Sequence, residues 1–167
     1  MKIPAGILLF ALLLCGCIRE DKPGADIKVG DKLPGFEVVM NDGSHVGSAS
    51  LEGNISLVMF FHTSCPDCQH TLPIVQDMYD EYAQNGVKFV LISRECQQDE
   101  IEAYWMDNGL DMPYSAQKDR RVYNLFASSR IPRIYISDEN GTVRYIFTDD
   151  PVVSDEDLRS SIENLIR

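Results

Sequence analysis

Leu57-Val58-Met59-Phe60-Phe61-His62-Thr63-Ser64-Cys65-Pro66-Asp67-Cys68 decides the reading of this chain. Its first five residues are apolar without a break. They do not alternate, so they predict a central strand, over 55–61, with both faces covered. The strand runs into a Cys-x-x-Cys pair, and an amphipathic segment starts directly after it. Cysteine reacts as its thiolate, and a helix start favours negative charge through its free N–H groups and dipole. Two cysteines delivered by a strand onto a helix N-terminus therefore predict a redox centre. Helix phase divides their roles. Cys68, Leu72, Val75, Tyr79 and Tyr82 recur on one face, which places Cys68 on the buried side. Cys65 lies one turn earlier, where water reaches it. Cys65 is the expected attacking thiol and Cys68 the resolving thiol.

Two other uses of the pair fit less well. A structural zinc site wants four ligands and the pair supplies two. No second Cys-x-x-Cys exists, and Cys96, His45, His62 and His70 are scattered along the sequence. A purely structural disulfide would close so small a loop that it would restrict the unfolded chain little. No metal and no organic cofactor is expected.

The chain has 167 residues, 44% hydrophobic and 25% charged, which suits one globular domain with a real core. Its formal net charge is −11 and its basic residues are spread out. That excludes the basic face a nucleic-acid binder needs.

The first residues read as a targeting segment. Lys2 gives a positive start, and residues 7–14 form an apolar core too short to span a bilayer. Leu14-Cys15-Gly16-Cys17 follows. This resembles the lipobox of bacterial lipoproteins, with Leu three residues and a small residue one before the lipidated cysteine. The resemblance implies a signal peptide over 1–16, lipidation at Cys17 and a bacterial cell-envelope location, on the periplasmic face or the outer-membrane surface. Several acyl chains on one cysteine would hold the protein to a bilayer firmly. Residues 17–26 are short and polar, with Pro23 and Gly24, and read as lipid anchor and tether. Glu20-Asp21 serves either as an outer-membrane sorting signal or simply as solvated tether. The folded domain is expected over 27–167.

Within that domain, Phe36, Val38 and Met40 alternate before Asn41-Asp42-Gly43, a hairpin-like entry. The cysteine helix should run to about Asn85, stop at Gly86 and kink at Pro73. A second buried strand is expected over 87–93. Ile101, Tyr104 and Trp105 mark a helix closed by Asn108-Gly109, and a short helix over 121–127 should turn Val122, Leu125 and Phe126 inward. Ile131-Pro132 opens a strand over 134–137, joined through Asn140-Gly141 to another over 142–147. A last helix over 154–166 has Ser154 as its cap and Leu158, Ile162 and Leu165 toward the core. The expected class is α/β: a three-layer α/β/α arrangement with a mixed central sheet and an N-terminal β-hairpin.

Over residues 29–166 this order resembles the thioredoxin fold, and within it the TlpA/ResA-like extracytoplasmic thiol–disulfide oxidoreductases. Four linked features carry the resemblance: the strand ending in Cys65 and Cys68, Pro73 five residues after the second cysteine, Ile131-Pro132, and the closing hairpin and helix. The stretch 97–129 matches the TlpA-like insertion. The resemblance implies that Pro132 is the family's cis-proline facing the disulfide, with the Ile131 backbone set beside Cys65 to receive a substrate chain. It implies protein disulfide or thiol substrates, and a membrane electron donor that returns the enzyme to its reduced form.

The chain departs from the family at three places. Ser64 stands where the family often keeps Trp, Met59 where thioredoxin has a buried acid, and Thr71 where ResA-type proteins have a glutamate. Glu95 is the nearest candidate replacement for the acid. Pro66 and Asp67 fill the pair's spacer. The charge of Asp67 disfavours a neighbouring thiolate and so favours the disulfide, the sign expected of a reductant. Cys96 remains open as a buried apolar residue, an intermolecular partner or a second redox position. His62 and His70 flank the pair as packing, surface or tuning residues. Two alternatives stay beside the reductase reading: a thioredoxin-fold lipoprotein binding module without turnover, and a peroxiredoxin-like peroxidase. For the peroxidase, His62 and Val58 stand where its motif wants Thr or Ser and a proline.

Overall fold

The computed structural model describes residues 26–167. The expected signal segment and lipidation site Cys17 lie outside the described residues. Strands β1 (Glu37–Val39) and β2 (His45–Gly47) form an antiparallel hairpin with its own two-stranded sheet. A single turn of helix, α1 (Ser48–Leu51), leads to β3 (Ser56–Phe61). Then come α2 (Pro66–Tyr82), β4 (Lys88–Ser93), α3 (Gln98–Asn108), β5 (Tyr114–Ser115), α4 (Tyr123–Phe126), β6 (Arg133–Ser137), β7 (Val143–Phe147) and α5 (Asp155–Ile166).

The central sheet has the order β5-β4-β3-β6-β7. β3, β4 and β5 are parallel, and β6 and β7 run antiparallel to their neighbours. β3 is the middle strand, and all six of its residues are buried, as its unbroken apolar run requires. Its alternate residues serve opposite layers. Phe61 packs 5.2 Å from Trp105 of α3, while Phe60 packs edge-on to Tyr123 and Phe126 of α4. α2 joins the α3 side through Gln76, whose amide bonds Asp111 and the Met112 N–H. α5 leans on α2 through Tyr82 and Glu163. Phe36, at the base of the hairpin, meets Phe126 and closes the other layer.

Three expectations need correction. Leu125 points to solvent, and Tyr123 takes the inward place with Phe126. In a helix of one turn, phase is set by the two aromatic rings that reach Phe60, not by periodicity. β5 was not expected, because two residues carry no pattern; Tyr114 is held by its pairing with Leu91. Asp26 is not tether. Its carboxylate accepts from the Ser128 N–H at 2.9 Å and from Arg133 Nη2 at 2.8 Å, so Asp26 is bonded into the folded domain.

Candidate active site

The site is built where β3 hands over to α2. Cys65 is the N-cap of α2, with Pro66 in the first helical position and Asp67 in the first turn. Proline suits that position because its missing N–H would have no partner there. The Cys65 sulfur accepts from the Cys68 N–H at 3.4 Å, taking the role of a capping oxygen. The same sulfur lies 3.6 Å from the Ile131 carbonyl, to which its thiol donates. Ile131–Pro132 is cis, and so is Asp150–Pro151. Cys65 is half-buried, while Cys68 has no exposed surface.

Burial pushes the Cys68 thiol well above its ordinary range, and its contact with Cys65 adds to the shift. The His62 N–H and the charge of Arg94 oppose it. The pair is therefore asymmetric, with one sulfur at a helix start and one enclosed behind it.

The loop before Pro132 is tied down on both sides. The Tyr123 hydroxyl donates to the Arg130 carbonyl at 2.6 Å, and Arg130 holds a positive φ of 73°. Arg133, 9% exposed at its side chain, donates to the Ser129 carbonyl and pairs with Asp26. Ile131 is thus fixed opposite Cys65 by bonds from three separate segments.

Glu95 makes no hydrogen bond to Cys65 or Cys68 among the described residues. Its half-exposed carboxylate faces Arg120 Nη1 at 3.7 Å and Arg94 Nε at 3.9 Å. The charge beside Cys68 is that of Arg94, a residue the sequence reading did not select. β3–β4 pairing sets Ser93 against Phe61, and the Arg94 N–H donates to the Phe61 carbonyl, next to His62. Only that register reveals it.

His62 and Cys96, scattered in sequence, are neighbours in space. A ring nitrogen of His62, the Cys96 sulfur and a Glu100 carboxylate oxygen lie within 4.8 Å of one another. His70 is exposed on α2, and His45 sits on the hairpin beside Glu37. Burial raises the Cys96 thiol, with Thr63 opposing and Glu100 reinforcing the shift.

The model of the AhpC/TSA family matches residues 29–146. The chain belongs to the AhpC/TSA family. This AhpC/TSA chain is 28% identical over 145 residues to the thiol-disulfide oxidoreductase ResA of Oceanobacillus iheyensis, a match covering 84% of the chain and 76% of the relative. The ResA of Geobacillus thermodenitrificans is 22% identical over 139 residues, covering 83% and 79%. Among solved structures, a thiol:disulfide interchange protein of the thioredoxin family from Chlorobium tepidum TLS superposes with a TM-score of 0.72 at 25% identity, covering 86% of this chain and all of that one. A secreted disulfide oxidoreductase of Mycobacterium tuberculosis gives 0.69 at 18% identity, covering 78% and 96%. The AhpC/TSA chain thus has the thioredoxin fold, with the mixed sheet and separate N-terminal hairpin described above.

Proposed function

We propose that this protein is a thiol–disulfide oxidoreductase that reduces disulfides of other proteins through Cys65 and Cys68, held to a bacterial cell-envelope membrane by acylated Cys17. The observation that carries the exchange reading is the placement of the two sulfurs. Cys65 caps a helix beside the Ile131 carbonyl, and Cys68 lies enclosed behind it.

The steps follow from that asymmetry. Reduced Cys65 loses its proton to solvent. Its thiolate then has the Cys68 N–H as donor and gives up its bond to Ile131. It attacks one sulfur of a substrate disulfide; an S–S bond forms to Cys65, and the other substrate sulfur leaves as a thiolate that takes a proton. A substrate strand laid along Ile131 would hold the mixed disulfide in line. Cys68 next loses its proton and attacks the Cys65 sulfur. The mixed disulfide breaks, the second substrate thiol is released, and Cys65–Cys68 is left oxidised. Burial makes ionisation of Cys68 the harder step, and Arg94 is the charge that eases it. Two electrons and two protons from a dithiol donor at the membrane restore the enzyme. The lipobox-like Leu14-Cys15-Gly16-Cys17 supports the anchor and the envelope location.

The reduction potential of the pair tests the direction of flow. Thiol trapping against dithiothreitol buffers should give a value near or below thioredoxin's, about −270 mV. A value near that of the oxidant DsbA, about −120 mV, would reverse the assignment.

A further inference from the structure

Cys96 is a fully buried cysteine that the exchange above does not use. Its sulfur lies 3.2 Å from Glu100 Oε2 and 3.3 Å from Thr63 Oγ1. A ring nitrogen of His62 completes a group of three potential donors, all within 4.8 Å of one another. Three segments supply them. His62 follows the end of β3, Cys96 sits in the turn after β4, and Glu100 lies in the first turn of α3. The turn is built to bring the sulfur inward. Glu95 holds φ of 62°, a region L-residues with a Cβ rarely adopt, and the Cys96 N–H is fixed to the Gln117 carbonyl.

One imidazole nitrogen, one thiolate and one carboxylate make the mixed donor set that suits a borderline divalent cation. In a tetrahedron around zinc such donors stand about 3.3–3.6 Å apart. The sulfur and the Glu100 oxygen, at 3.2 Å, lie just short of that spacing, and the imidazole has only a short distance to close. His62 is positioned by Ser64, whose N–H donates to Nδ1 at 3.1 Å and whose Oγ lies 3.0 Å from the same nitrogen. Access is graded from exposed Glu100 through half-buried His62 to enclosed Cys96.

We infer that His62, Cys96 and Glu100 form a binding site for a zinc-class divalent cation, separate from the redox pair, with water in its fourth position. The exchange itself uses no metal, so the site is an addition to it.

The test is Co²⁺ titration of the full chain carrying Cys65→Ser and Cys68→Ser, which removes the pair as a competing chelator. The expected result is a near-ultraviolet thiolate-to-cobalt band with visible bands of tetrahedral cobalt, both abolished by Zn²⁺. Cys96→Ser in the same background should remove the near-ultraviolet band. Glu100→Gln, on the exposed side, should weaken binding about tenfold or more while leaving the circular dichroism unchanged. An unchanged band after Cys96→Ser would place the cation elsewhere and overturn the site. So would the absence of any band at millimolar Co²⁺, or an affinity untouched by Glu100→Gln.

Discussion

Asp26→Ala should destabilise the protein by about 2 kcal/mol at neutral pH, with a deficit that disappears in acid. The Asp26 carboxylate pairs with Arg133 at 2.8 Å and accepts from both the N–H and the hydroxyl of Ser128. Stripping the partner from a fully buried charge costs about 3–5 kcal/mol. The Asp26 side chain is 38% exposed, so water screens the pair and reduces that figure to about 1–2 kcal/mol. The lost Ser128 bonds add about 1 kcal/mol between them, some of it recovered from solvent. For a domain of this size the total corresponds to a fall of about 4–8 °C in Tm. Burial tends to raise the Asp26 carboxyl, but the Ser128 hydrogen bonds and the charge of Arg133 outweigh it and hold the group below its ordinary range. A folded pKa lower than the unfolded one, about 3.9, gives stability that is full above the unfolded value. That stability is lost as pH falls through the folded value. Urea unfolding followed by Trp105, the only tryptophan, reads the difference directly. Wild type and variant should differ by a constant amount above about pH 5 and converge as the pH falls through the lowered folded value. A deficit under about 0.5 kcal/mol at pH 7, or one that persists unchanged in acid, would refute the reasoning.

The other expectations concern the site more closely. Tyr123→Phe removes the hydroxyl that holds the Arg130 carbonyl and should cost about 1 kcal/mol in urea unfolding; an unshifted midpoint would mean that bond contributes nothing. Asp67→Asn should raise the reduction potential by about 10–20 mV, as an exposed charge close to the pair allows, and an unchanged or lower potential would count against a reductant tuned by that residue. Iodoacetamide on the reduced native protein should modify Cys65 on the order of 100-fold faster than Cys68 or Cys96, both fully buried, with the difference erased in urea. Peptide mapping that finds Cys68 labelled as fast as Cys65 would invert the assigned roles.

Local features of the sequence were legible because each carried its own cause. The unbroken run of β3 required two covered faces, and the amphipathic segment directly after the cysteine pair marked α2. The Asn140-Gly141 turn fixed the closing hairpin, and Ser154 does cap α5, accepting from the Asp157 N–H. Features that depend on pairing were not legible. Arg94 comes beside Cys68 only through the β3–β4 register. Cys96 meets His62 across the same register, and Glu100 joins them because α3 starts where it does. Glu95 was the acid the sequence offered for the pair, yet its carboxylate faces two arginines. Asp26 needed a partner more than a hundred residues away, beyond any local pattern.

The measurement that bears most directly on the account is trapping of the mixed disulfide. The Cys68→Ser variant, mixed with a disulfide-bonded protein substrate, should accumulate a stable adduct through Cys65 that dithiothreitol releases. Cys65→Ser should form none and should lose turnover. An adduct through Cys68 in the Cys65→Ser variant, or disulfide reduction that continues without Cys65, would contradict the assignment of the two thiols on which the proposed function rests.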